Sequence, residues 1–322
     1  MIPTRWMHFA AAAVAIALAA APVRAQDAGA RDSARTRLPG ALADTAAEPP
    51  ARHRAIDLTA GGVGISIGNS RRVTGVRINT VDHQAERVNG LNLTLWIPRR
   101  NPDLVVTGAA VGLVAPRARR IDGVALGGVG VLASEVNGIG AGGLAMIARE
   151  RLRGIGVGGL ATVGDHGIDG IATAGLVTLS EGGVNGITSA GLAAITEGRL
   201  TGISVSPGFS YVDGEVRGIT AAGLVNRTKG IARGVTLAGV AVVADTLEGI
   251  TAAALYARSA EMRGISAAGW NDVRGVQRGI TIGIFNYARD IRGAQIGLLN
   301  YVRSNPGGLR LLPIFNTRFG AR

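Results

Sequence analysis

A chain of 322 residues with 50 Gly, 4% aromatic and 17% charged residues carries a formal charge of +12 and has no Cys. Abundant glycine without proline enrichment or a strict G-X-Y period excludes collagen, and 47% hydrophobic content excludes wholesale disorder. The lack of Cys excludes disulfides, a Cys-bound zinc or iron–sulfur site, a Cys nucleophile and a lipid-anchored N-terminal Cys.

Residues 1–25 have the three parts of a secretory signal peptide. Arg5 supplies the positive start, Ala10 to Ala21 the apolar run, and Val23-Arg24-Ala25 the small residues of a cleavage site. The run is too short to span a bilayer, and no later stretch reaches the length a membrane helix needs. Cleavage after Ala25 would remove two of the 34 basic residues and none of the 22 acidic ones, leaving +10. The expected location is the periplasm, outer membrane or cell surface of a bacterium. Residues 26–55 are rich in Ala, Arg, Asp and Pro without periodicity, and read as a disordered lead-in.

From residue 73 onward one pattern recurs: aliphatic, polar, Gly, aliphatic. Its fifteen glycines are 75, 90, 108, 123, 138, 154, 170, 186, 202, 218, 234, 249, 264, 279 and 293. The spacing is 15 or 16, apart from one 18 and a final 14. The residue before each glycine is polar, and the residue two before is Val, Ile, Leu or Met except at Ala232 and Gln277. Such a register defines a repeat protein.

The way the alternation breaks points to the kind of repeat. In Val216-Arg217-Gly218-Ile219, strict period-2 reading places Val216 and Ile219 on opposite faces. A corner at Gly218 would turn both inward and leave Arg217 outside. Gly191 offers a second corner between Ile187 and Leu192. The prediction is all-β: a β-solenoid of about fifteen coils over residues 56–303, roughly 70 Å long at about 4.8 Å per coil. Residues 56–72 are the expected N-terminal cap, and 304–322, with Asn305 to Phe319 as the plug, the C-terminal one. Caps are needed because open coil ends are sheet edges. The rival is an outer-membrane β-barrel with one strand per unit, which asks for about nine unbroken alternating residues and aromatic girdles.

Gly293-Ala294-Gln295-Ile296-Gly297-Leu298-Leu299-Asn300 and Gly279-Ile280-Thr281-Ile282-Gly283-Ile284-Phe285-Asn286 resemble the G-V-Q-[IL]-G-L-[LIV]-N repeat of bacterial surface repeat proteins first named from Leptospira. The tail from Asn305-Pro306 to Phe315-Asn316 is similar to endings in that group, and the resemblance covers residues 264–319. It implies an exported surface or envelope protein and brings no catalytic residues.

Few residues suit chemistry. Gly64-Ile65-Ser66-Ile67-Gly68 matches the G-x-S-x-G elbow with His83 downstream, but no helix is expected to follow, so a hydrolase using Ser66 is a remote alternative. The glycine clusters at Gly138–Gly143 and Gly154–Gly159 imitate a dinucleotide loop and read as coil corners. His53, His83 and His166 lack metal-ligand spacing, and Asp165-His166 reads as a solvated turn. The chain is therefore expected to be no enzyme, and to need no metal or cofactor.

Two columns remain. Thr188, Ser204, Thr220, Thr236, Thr251, Ser266, Thr281 and Gln295 stand two residues after their glycines and read as a hydroxyl ladder on a sheet face. Arg217, Arg233, Arg263, Arg278 and Arg292 precede their glycines, with Glu248 interrupting and Glu215, Glu261 and Asp290 nearby as neutralising acids. A solvated charged edge is the plain reading. The functional one is a binding surface for anionic polysaccharide or lipopolysaccharide, without specific nucleic-acid recognition.

Overall fold

The computed structural model describes residues 55–60, 63–81, 85–96 and 103–319. The signal peptide, the lead-in up to residue 54, His53 and His83 lie outside the described residues. The protein is a β-solenoid. Strand follows strand along the chain, and among the described residues there is no α-helix. Successive coils pair in parallel with the repeat glycines in register: Gly75 faces Gly90, Gly90 faces Gly108, and the column continues through Gly202, Gly218 and Gly234 to Gly264. Between Gly108 and Gly293 this amounts to about 12 turns, and the column extends upstream through Gly90 and Gly75 to Gly64. Parallel pairing at one-coil intervals rules out the barrel, whose neighbouring strands run antiparallel.

Both ends of the stack carry an antiparallel strand. β1 (Ala55–Ala60) pairs antiparallel with β2 (Val63–Gly68), which in turn pairs in parallel with β3 (Arg72–Asn79). At the other end Leu311–Thr317 folds back antiparallel against Ala294–Tyr301. Each reversal consumes backbone groups that a bare coil end would leave open.

One coil shows how the sequence is spent. Along Val216–Ala222, Val216, Thr220 and Ala222 are buried while Arg217 and Ile219 are exposed. Gly223 and Leu224 form an exposed bend. Along the next strand Asn226 and Thr228 point inward, and Arg227 and Lys229 outward. The aliphatic column two before the glycine is the dry wall of the core: Val106, Ile121, Val136, Leu152, Leu200 and Val216 are all fully buried. Each such burial contributes about 1.5–3 kcal/mol. The two exceptions to the pattern, Ala232 and Gln277, are buried in the same column.

Two expectations about side-chain direction are corrected. Ile219 does not turn inward with Val216; it is 41% exposed. The alternation never slips, because Gly218 itself fills an inward slot between Val216 and Thr220. The hydroxyl column, correspondingly, lies inside rather than on an outer sheet face. Thr188, Ser204, Thr220, Thr236, Thr251 and Ser266 are at most 4% exposed. A coil of this size leaves too little room for Ile opposite Val216, and Thr, Ser or Ala fits instead.

Glycine is nevertheless required at the repeat position. All fifteen glycines have φ between 116° and 156°, a region that residues with a Cβ rarely enter. A Cβ on Gly218 would also press on the carbonyl oxygen of Gly202, one coil earlier. Gly191, at the second bend, has no positive φ, but a Cβ there would meet the carbonyl oxygen of Gly175. The first glycine serves conformation and close stacking, the second close stacking alone.

The lumen changes character along its length. Arg77 is fully buried near the N-terminal end, where its Nη1 donates to Asn92 Oδ1 at 3.1 Å. In the last coils an amide ladder runs up the interior. Asn271 Nδ2 donates to Asn286 Oδ1 at 2.8 Å, and Asn286 Nδ2 donates to Asn300 Oδ1 at 2.8 Å and to Ile296 O at 3.0 Å. Gln295 Nε2 donates to Gln277 Oε1 at 3.1 Å. The Gln and Asn that carry the likeness to surface repeat proteins are thus interior struts.

In the middle coils the hydroxyls are less well served. Thr188 Oγ1 and Thr220 Oγ1 are buried without a hydrogen-bond partner. A buried hydroxyl lacking a partner is destabilising, and Val has nearly the same shape. Thr220→Val is therefore expected to raise stability by about 1 kcal/mol, about 2–4 °C in melting temperature for a chain of this size. A lower melting temperature would show that the hydroxyl is bonded after all.

Candidate functional site

The outward positions before the repeat glycine form a charged strip. Because the coils pair in register, Arg217 faces Arg233, Arg233 faces Glu248, and Glu248 faces Arg263. Guanidinium and carboxylate groups bridge these levels. Arg217 Nε donates to Glu215 Oε1 at 3.0 Å, and Arg233 reaches Glu215 at 2.7 Å and Glu248 at 2.6 Å. Arg263 reaches Glu248 at 3.0 Å and Glu261 at 3.2 Å. Glu248, which reads in sequence as an interruption, is the hub that ties two coils together.

The Glu215 carboxyl is held below its ordinary range, first by the hydrogen bond from Arg217 and further by the charges of Arg233 and Arg199, against an opposing contribution from desolvation. Arg233 is shifted up chiefly by its hydrogen bond to Glu248. These guanidinium groups are roughly half exposed, so solvent screens each pair and its contribution to stability is small. Their main consequence is positional: three of the five column arginines already have carboxylates.

Arg278 and Arg292 differ. Among the described residues neither forms an ion pair, and Arg278 Nε is buried without a hydrogen-bond partner. Asp290, the acid expected to neutralise Arg292, instead accepts from the Ile291 backbone N–H at 2.9 Å and from Ser304 Oγ at 3.0 Å. Gly279 stacks on Gly264 and Gly293 on Gly279, so Arg263, Arg278 and Arg292 occupy three successive levels, about 4.8 Å apart. The surroundings are basic: residues 274–319 contain seven Arg and one Asp.

Upstream, the same strip becomes mixed and polar. Arg120 pairs with Asp122 and Glu135, and Arg151 with Asp169. A cavity of about 170 Å³ opens there, lined by Arg151, His166, Asp169, Asn185, Arg199 and Thr201. His166 sits on a turn, with its Nδ1 2.9 Å from Arg149 O. Among the described residues no group of three His, Asp or Glu could hold a metal ion.

The other sequence candidates fall in strands. Ser66 lies in β2, is fully buried, and has its Oγ 2.6 Å from Ser70 Oγ. No helix follows it, so the strand–turn–helix that an elbow nucleophile needs is missing. Gly138–Gly142 and Gly154–Gly158 lie within strands and open no helix. The inward placement of Arg77 and of the amide ladder does not follow from the sequence reading. Their signal was an Asn recurring seven residues after each of the last three repeat glycines, and a long polar side chain two residues after Gly75 and Gly293.

No protein family, no curated protein and no solved structure matches this chain. No helix among the described residues is long and apolar enough to cross a membrane. The class that the geometry defines is a parallel β-solenoid repeat protein with an ion-paired strip ending in unpaired arginines.

Proposed function

We propose that the protein is an exported, non-catalytic repeat protein of the bacterial cell envelope that binds anionic polysaccharide or lipopolysaccharide along its arginine column. The observation that carries this reading is the pair Arg278 and Arg292, stacked on successive levels without carboxylate partners among the described residues. Guanidinium forks at that pitch suit phosphate or carboxylate groups repeating along a sugar polymer. The signal-like N-terminus and the likeness of residues 264–319 to surface repeat proteins support an envelope location. Arg217, Arg233 and Arg263 take a lesser part, because a polymer must compete with Glu215, Glu248 and Glu261 for them.

That ranking is testable with heparin as the soluble probe. Arg278→Ser with Arg292→Ser is expected to weaken binding about tenfold, at about 1.4 kcal/mol for the two charges together. Arg217→Ser with Arg233→Ser should weaken it far less. Binding should also fall steeply as salt is raised. Equal losses for the two double variants, or none for either, would overturn the assignment.

A further inference from the structure

Beside the arginine column lies a surface without charge. From Gly108 to Gly293, not one of the six residues following a repeat glycine is Asp, Glu, Lys or Arg, in a chain that is 17% charged. The outward members of this stretch form two aliphatic ridges. Ile171, Ile187, Ile219, Ile250 and Ile265 stand directly after their glycines and are 41 to 53% exposed. Leu176, Leu192, Leu224 and Leu255 stand at the following bend and are 43 to 63% exposed. Toward the N-terminal end, glycines between the ridges floor a shallow groove of about 500 Å³, walled by Val111, Leu126 and Val157.

From Gly108 to Gly293 the face is about 60 Å long and about 15 Å wide, roughly 900 Å², given the usual rise per coil and per residue. A soluble monomer usually exposes apolar patches of only a few hundred Å². An area of this size needs a partner.

The borders of the face identify that partner. On one side runs the column before the repeat glycines, which over the last three coils is Arg263, Arg278 and Arg292. On the other, ten residues after Gly264, Gly279 and Gly293, the second strand of the coil presents the exposed Arg274, Arg289 and Arg303, with Asp272 beside them paired to Arg258 and Arg274. Aromatic rings stand between the apolar face and this second row: Tyr256, Trp270 and Phe285 meet edge to face at 5.6 Å, and Tyr287 stacks on Tyr301 at 5.6 Å. Residues 249–319 hold nine Arg against three acidic residues. A second copy packed on the face in the same direction would bring one basic end against the other. A surface of anionic headgroups complements both borders at once.

We infer that the uncharged face lies on a lipid bilayer containing anionic lipids. The aliphatic ridges sink among the upper acyl segments, the aromatic rings lie at the interface, and the two Arg rows stand at the level of the phosphates. The solenoid axis then runs parallel to the membrane plane, with apolar contact along the whole face and the charged and aromatic contacts concentrated in the last coils.

The test is co-sedimentation of the mature protein with vesicles of phosphatidylcholine, with and without phosphatidylglycerol. Wild type should bind the mixed vesicles at least about tenfold more tightly than the neutral ones. Ile219→Asn, Ile250→Asn and Ile265→Asn together should reduce that binding at least about tenfold while leaving heparin binding intact. Should the triple variant fail to fold, wild type decides alone: Trp270 fluorescence, isolated by Trp96→Phe, should shift to the blue on vesicle addition and be quenched by brominated acyl chains. Wild type that binds heparin but no vesicles refutes the membrane face and leaves the polyanion reading standing; the reverse refutes only the latter. A wild-type dimer that the triple variant converts to monomer, without vesicle binding, would assign the face to a second copy and overturn the inference.

Discussion

Gly218→Val is expected to cost at least about 3 kcal/mol and to prevent stable stacking at that coil, whereas Arg217→Ala beside it costs under about 1 kcal/mol. Two effects add at Gly218. Its φ of 137° is strained for any side chain and worst for a β-branched one. The new Cβ would also overlap the carbonyl oxygen of Gly202, which the parallel ladder holds in place. Neither effect can relax locally, since the same contact repeats at every level. Gly307 supplies the control: nothing lies within 4 Å of a Cβ added there, so Gly307→Ala should leave the melting temperature unchanged. Thermal or urea unfolding of the three variants measures the contrast. Similar losses for Gly218→Val and Arg217→Ala would refute the glycine account.

Asn286→Ala is the other large effect, expected to lower stability by about 2–4 kcal/mol. Asn286 is fully buried and central to the ladder; its loss removes the side-chain donor to Asn300 Oδ1 and Ile296 O and one acceptor of the Asn271 amide, which keeps Ala268 O and Ile282 O. The contrast with Thr220→Val is informative, because both remove a buried polar group from the same lumen and the expected signs are opposite. Asn300→Ala should show strong coupling to Asn286→Ala in a double-mutant cycle, because the two side chains share a bond. Additive losses would mean the ladder acts as separate residues.

The repeat and its parallel stacking were legible because they rest on two local demands: glycine where φ is positive, and an aliphatic residue two positions earlier. What misled the reading was the equation of apolar with inward. In Val216–Ala222, Ile219 is apolar and outside while Thr220 is polar and inside, since a narrow lumen selects for size before polarity. The column two residues after the glycine held the clue, because it contains no large aliphatic residue where an inward Ile would have to sit. At the candidate site the arginine positions were visible, and so were Glu215 and Glu261. The bridging of Arg233 and Arg263 by Glu248 was not, because pairing between levels follows coil geometry rather than distance along the chain.

The position two after each repeat glycine carries Arg77 and Asn92 at one end, Gln295 at the other, and only Ala, Gly, Thr or Ser between Gly108 and Gln295. The middle coils are therefore interchangeable with one another but not with the ends. Removing residues 186–201 would bring Gly202 directly above Gly170, with residues of matching bulk above and below. The shortened chain should fold with nearly unchanged midpoint, read by urea denaturation, while removal of residues 75–89, which takes out Arg77, should not be tolerated. The reach of the molecule is thus a free variable, adjustable in steps of one coil, whereas its two stoppers are fixed parts.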